Sequence, residues 1–158
     1  MRWIYAKVPD EPVKNIQSEL YTNELAEYGY ELEPNPHITI VPGFKKNGEI
    51  ETPKLRGSIS ISGYRFYPSE RKPMVVMLDV SQSQILSNAR KEAVKKIGKE
   101  NIEFGLHPFH ITIVKAGDTG DESDFSITKD AADRIVSECK NYPPKLTIKD
   151  TVVESWGA

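Results

Sequence analysis

His37-Ile38-Thr39-Ile40-Val41 recurs letter for letter as His110-Ile111-Thr112-Ile113-Val114. The second copy starts 73 residues after the first, close to half of the 158-residue chain. Self-similarity on that scale points to a duplicated structural unit, and the surroundings repeat as well. Before the first copy lie a strand-like run at 3–8 and a helix-like run at 12–28. Val13, Ile16, Leu20, Leu25 and Tyr28 recur there at three- to five-residue steps, roughly one helical face. Asp10 suits a cap, Pro12 the first turn and Gly29 the stop. Before the second copy lie a strand-like run at 74–80 and a helix at 83–97, with Ile85, Ala89, Ala93 and Ile97 on one face. Ser81 or Ser83 suits its cap and Gly98 its end.

Each half adds a further strand. Ser58-Ile59-Ser60-Ile61-Ser62 alternates strictly within a strand expected at 57–67, and the polar run 68–73 turns it back. A last strand is expected at 145–153, after a polar loop at 117–126 and a third helix at 129–140 whose stripe is Ala132, Ile135, Val136 and Cys139. No Gly-, Pro- or Ser-rich linker divides the halves. The expectation is one α+β domain over 1–158, bilobal, with lobe repeats at roughly 1–67 and 73–158 related by a pseudo-twofold axis. Each lobe is an antiparallel-rich sheet with helices on its outer face, and a cleft lies between them.

Hydrophobic residues make up 38% and charged residues 28%, which supports a packed core and argues against disorder. The formal net charge is −2. Proteins that grip long nucleic acid by its phosphates usually show a global positive field, so long DNA is not an expected partner. The longest wholly apolar run, 74–78, falls far short of the roughly 20 residues of a membrane span. Met1-Arg2-Trp3-Ile4-Tyr5 lacks the apolar stretch of a signal peptide. A single cysteine, Cys139, forms no internal disulfide and leaves cysteine-rich metal sites without ligands. These features lead us to expect a soluble, cytoplasmic monomer without a cofactor. Acidic residues in the first helix (Glu19, Glu24, Glu27) and basic ones in the second (Arg90, Lys91, Lys95, Lys96) read as solvated faces.

Side chains at i and i+2 share one face of a strand. His37 and Thr39 therefore point together, away from Ile38 and Ile40, and His110 and Thr112 do the same. If the lobes meet about a twofold axis, both pairs face one groove. Two imidazoles with a pKa near 6.5 supply a neutral base and a protonated acid at the same pH. Threonine hydroxyls donate to the oxygens on which charge builds. That set is sufficient to break a phosphodiester without a metal.

Two His-x-Thr motifs on strands of a duplicated α+β fold resemble the 2H phosphoesterase superfamily, also called LigT-like or 2′-5′ RNA ligase-like. Pro36-His37-Ile38-Thr39 and Phe109-His110-Ile111-Thr112 fit its pattern of a proline or large apolar residue before the histidine. Ile61-Ser62-Gly63-Tyr64-Arg65-Phe66 and Met74-Val75-Val76-Met77-Leu78 resemble the family's strand, glycine, aromatic and apolar-strand passage. The resemblance covers essentially the whole chain. It implies a bilobal fold and metal-independent phosphodiester cleavage, or reverse ligation, with His37 and His110 as acid and base and Thr39 and Thr112 on the phosphate. In its short length the chain looks like compact members, including viral ones that destroy the cyclic oligonucleotide signals of bacterial immunity.

By strand parity Trp3, Tyr5 and Lys7 fall on the face opposite Ile4, Ala6 and Val8. Tyr5 or Trp3 suits base stacking and Lys7 a phosphate; a covering by the other lobe is the alternative. Ser62, Tyr64 and Phe66 share a face by the same parity and are candidates to line the groove, with Tyr64 expected to bind substrate and a covered sheet face as the alternative. Phe44 and Trp156 are further substrate-binding candidates, with packing against the protein itself as the alternative, and Glu154 sits near Trp156. His107 makes a His-x-x-His with His110, but no local carboxylate or cysteine completes a shell, so no metal is expected. No P-loop or Rossmann fingerprint occurs. The expected substrate is a small nucleotide, a cyclic nucleotide or cyclic oligonucleotide. The alternatives are RNA 2′-5′ or 2′,3′-cyclic phosphate ends, and a non-catalytic module that sequesters a nucleotide.

Overall fold

Both His-Ile-Thr-Ile runs are strands, as β-branched residues alternating with polar ones favour. The computed structural model describes residues 1–20, 30–67, 75–81, 83–116, 134 and 144–155. Its elements are β1 Arg2–Lys7, α1 Asp10–Leu20, β2 Tyr30–Leu32, β3 His37–Phe44, β4 Gly57–Tyr67, β5 Val75–Val80, α2 Gln84–Ile97, a 3-10 turn Lys99–Asn101, β6 His110–Ala116, β7 Lys145–Ile148 and β8 Thr151–Ser155. The strands run in the order β7-β4-β5-β6-β3-β1-β8, and β2 adds beside β6. Every pairing is antiparallel. The protein is an α+β fold with a mostly antiparallel sheet.

The lobes are not the sequence halves. Strands that follow one another in sequence usually pair, and β4 sits beside β5 and not with the first half. Likewise β8 returns to pair with β1. One side of the sheet is therefore β7-β4-β5-β6 and the other β3-β1-β8, so the repeats expected at 1–67 and 73–158 exchange their last strands. The strand expected at 145–153 is two strands, broken at Lys149 and Asp150. These two strands end opposite edges of the sheet, yet only two residues separate them. Three peptide steps reach about 11 Å at most, so the sheet curls until its ends approach each other. The Asp150 carbonyl accepts from Lys7 N at 3.2 Å, and Thr151 Oγ1 donates to Pro53 O at 2.6 Å. The three-residue strand β2 has no counterpart among the expected strands; it extends β6 where β3 leaves it.

The helices cover the core face. Val13 and Ile16 of α1, and Leu86, Ala89, Ala93 and Ile97 of α2, are buried with Ile38, Ile40, Ile111 and Ile113 of the motif strands. Burying each large aliphatic side chain contributes about 1.5–3 kcal/mol. Leu86, not Ile85, joins this stripe; Ile85 is 36% exposed and lies over Gly57, where a Cβ would come within 2.5 Å of its Cδ1. Ser83 caps α2 by accepting from Leu86 N, and Gly98 closes it at φ +91°, a conformation glycine adopts without strain. The helix packing is crossed: α1 lies against β6, and α2 against β3. The expected continuation of the first helix to Tyr28, the 117–126 loop and the third helix (apart from Arg134) lie outside the described residues. No helix among those residues is long and apolar enough to cross a membrane.

Candidate active site

Ile38 pairs with Ile111, and this pair joins the two sides of the sheet. Both isoleucines are wholly buried on the helix side. Residues flanking an antiparallel pair point to the opposite face, so His37, Thr39, His110 and Thr112 all project from the other face. Antiparallel register carries Thr39 across from His110 and His37 across from Thr112. His37 and His110 are then diagonal neighbours, about 7–8 Å apart between Cα atoms. That gap accommodates one phosphate with a hydrogen-bond contact of about 2.6–3.2 Å on each side.

The two rings are held alike. His37 Nδ1 lies 2.7 Å from Asn35 O, and His110 Nδ1 lies 3.0 Å from Pro108 O. A carbonyl only accepts, so Nδ1 carries the proton in both rings and Nε2 is left for chemistry. In each lobe the partner is the carbonyl two residues before the histidine, the tight geometry expected at a strand start.

Their surroundings differ. Lys7 is the cross-strand partner of His37, and Asp79 is that of His110. His37 packs against Trp3, edge-on at 4.6 Å between ring centres, and against Tyr5 at 5.2 Å. Burial lowers the His37 pKa from its ordinary 6.5. The Asn35 carbonyl and Glu33 oppose this, the His110 charge reinforces it, and Glu154 opposes it more weakly. Tyr5 donates to Glu154 Oε1 at 2.6 Å, and burial, then this contact, raises its pKa.

The remaining candidates divide. Tyr5 lies on the histidine face but is 3% exposed, under Trp3 at 4.4 Å; Trp3 is the more open of the two rings. Lys7 is exposed beside His37. Phe44 is wholly buried in the core, 5.8 Å below the Arg2 guanidinium, and lines no groove. Tyr64 packs against the core side, opposite Leu78. The reason is a bulge: the β4–β5 register shifts between Ile61 and Gly63. One extra residue inverts the parity of everything after it. Tyr64 turns inward, and Arg65 turns to the histidine face, where its Nε meets Asp79 Oδ1 at 2.9 Å. Gly63, at φ +152°, is the sole trace of this in the sequence. The Phe66 side chain and Trp156 lie outside the described residues. His107 is exposed and precedes β6. No three His, Cys, Asp or Glu side chains among the described residues converge to hold a metal ion.

Two polar helix residues also bear on the site. Arg90 is half-buried and not a solvated charge: it donates to Ile40 O at 2.8 Å, His107 O at 2.9 Å and Thr39 O at 3.1 Å. Its guanidinium stacks 3.9 Å over Phe109, and burial lowers its pKa. Gln17, 7% exposed, donates to Glu33 O at 2.8 Å and Ile113 O at 3.1 Å. Both occupy the apolar stripes of their helices, in step with Val13 or with Leu86, Ala93 and Ile97. A polar residue in such a stripe is the signal by which sequence could have found them.

No known family profile and no curated protein matches the sequence. Among solved structures, TT0787 of Thermus thermophilus is 14% identical, with a TM-score of 0.48 over 96% of this chain and 82% of that one. Usb1 of Kluyveromyces marxianus is 12% identical, with a TM-score of 0.52 over 97% of this chain and 92% of that one. Over nearly its whole length, then, the chain shares the fold of Kluyveromyces marxianus Usb1.

Proposed function

We propose that this protein is a metal-independent phosphodiesterase of the 2H type that cleaves a small nucleotide, a cyclic nucleotide or cyclic oligonucleotide. The observation that carries the reading is the matched pair of imidazoles, each with Nδ1 tied to a backbone carbonyl, projecting from one face of the seam. His37, whose pKa burial lowers, takes the proton of the attacking hydroxyl or water at Nε2. His110 gives a proton from Nε2 to the leaving oxygen as the P–O bond breaks. The hydroxyls of Thr39 and Thr112 donate to the non-bridging oxygens as negative charge grows there. Lys7 and Trp3 meet the nucleotide on the His37 side.

The test is a panel of cyclic nucleotides, cyclic oligonucleotides and RNA with 2′-5′ or 2′,3′-cyclic ends, incubated in EDTA, with products identified by mass spectrometry. A cyclic nucleotide or oligonucleotide should be opened. His37→Ala and His110→Ala should each lose about 10²–10⁴-fold in rate while their circular dichroism stays native. Turnover confined to RNA ends would move the substrate to RNA. Binding without turnover across the panel would make the protein a sequestering module.

A further inference from the structure

We propose that Gln17 and Arg90 are a pseudo-twofold pair of clamps, positioning residues that set the spacing and the ring tautomer of the two histidines. The inference rests on those histidines doing the chemistry. Gln17 and Arg90 stand 73 residues apart, the offset of the His-Ile-Thr repeat itself. So do Ile40 and Ile113, whose carbonyls they hold. The bonds are exchanged between lobes. Gln17, on α1 of the first repeat, reaches a carbonyl of β6; Arg90, on α2 of the second, reaches two carbonyls of β3.

Each clamp has a second arm within its own repeat. Gln17 holds Glu33 O, at the start of the segment whose Asn35 carbonyl fixes the His37 ring. Arg90 holds His107 O and stacks on Phe109, on either side of Pro108, whose carbonyl fixes the His110 ring. One side chain thus ties the support of its own histidine to the opposite motif strand. Two such ties, facing opposite ways, fix one histidine relative to the other. The primary amide supplies two donors and the guanidinium three of its five, so each side chain meets its carbonyls at once. A lysine has a single nitrogen and no planar fork, and cannot reproduce the Arg90 set.

The experiment reads the rings directly and does not depend on any substrate. Long-range 15N–1H spectra at pH 8 report the tautomer of each imidazole. The wild type should show Nδ1-protonated rings for His37 and His110. Arg90→Lys should turn His110 into a mixture of tautomers and leave His37 as it was; Gln17→Met should do the reverse. Arg90→Gln, which installs the donor used in the other repeat, should restore part of the His110 signal relative to Arg90→Met, and it carries the arginine arm of the test if Arg90→Lys does not fold. With a substrate in hand, Arg90→Lys should lower kcat by at least 10-fold and change KM by less than 3-fold. Folded variants with both rings unchanged would overturn the clamp. The expected tautomer changes in folded variants of a protein that shows no phosphodiesterase activity would leave the clamp standing and overturn the proposed reaction.

Discussion

Ile38 of β3 and Ile111 of β6 are cross-strand partners, and neither keeps any exposed surface. The pair is both the seam of the sheet and the floor beneath the histidines. Ile111→Ala should therefore cost about 2–5 kcal/mol of stability, and Ile111→Val about 0.5–1.5 kcal/mol. Urea denaturation measures both; an alanine variant as stable as the wild type would mean that the seam is not packed as described.

Thr39→Val and Thr112→Val keep the β-branched shape and remove one donor each. On a substrate identified by the panel, each should lower kcat by about 10²–10³-fold. The double variant should lose less than the product of the two if both hydroxyls serve one phosphate. Steady-state kinetics at saturating substrate decide this, and an unchanged kcat would remove the threonines from the reaction.

The His37 pKa lies below 6.5 because the ring is buried. Between the lowered value and 6.5, the unfolded chain holds a proton that the folded one does not, so stability rises with pH through that window. This contribution is complete above pH 6.5 and is lost as pH falls through the folded value. His37→Gln should flatten the melting temperature against pH in that window. With His37 as base, the acidic limb of kcat/KM should also fall below pH 6.5; a limb above it would reassign the base.

Gly63 follows the β4 bulge at φ +152°, and a Cβ there would meet nothing within 4 Å. The cost of Gly63→Ala is therefore one of backbone strain, about 1–3 kcal/mol. Thermal melts should show it. A neutral substitution would mean that the bulge tolerates side chains, and that Arg65 keeps its orientation by other means.

The repeat makes the fold legible. His-Ile-Thr-Ile alternation places both motif strands and the face of their histidines, because strand parity is strict where one side is buried. The β4 limits of 57 and 67 follow from the Ser58–Ser62 alternation and the polar run that begins at 68, and Ser83 and Gly98 from helix capping. Parity fails at Tyr64, where one additional residue reverses the faces and no side-chain pattern records it. The break at Lys149 and Asp150 is hidden because Leu146, Ile148 and Val152 keep one even-numbered parity across it; only the closing of the sheet separates the two strands. Arg90 reads as surface charge because composition reports a helix's charge without reporting which side of it faces inward.

Crossed helix packing has a consequence for how such a chain folds. The first repeat lays its helix on the strand of the second, and the second returns the arrangement. A lone repeat would leave an oily helix flank without a sheet, and a sheet without a cover. Neither half is therefore expected to fold by itself, and joining both in one chain lets the two imidazoles keep different neighbours, lysine beside one and aspartate beside the other.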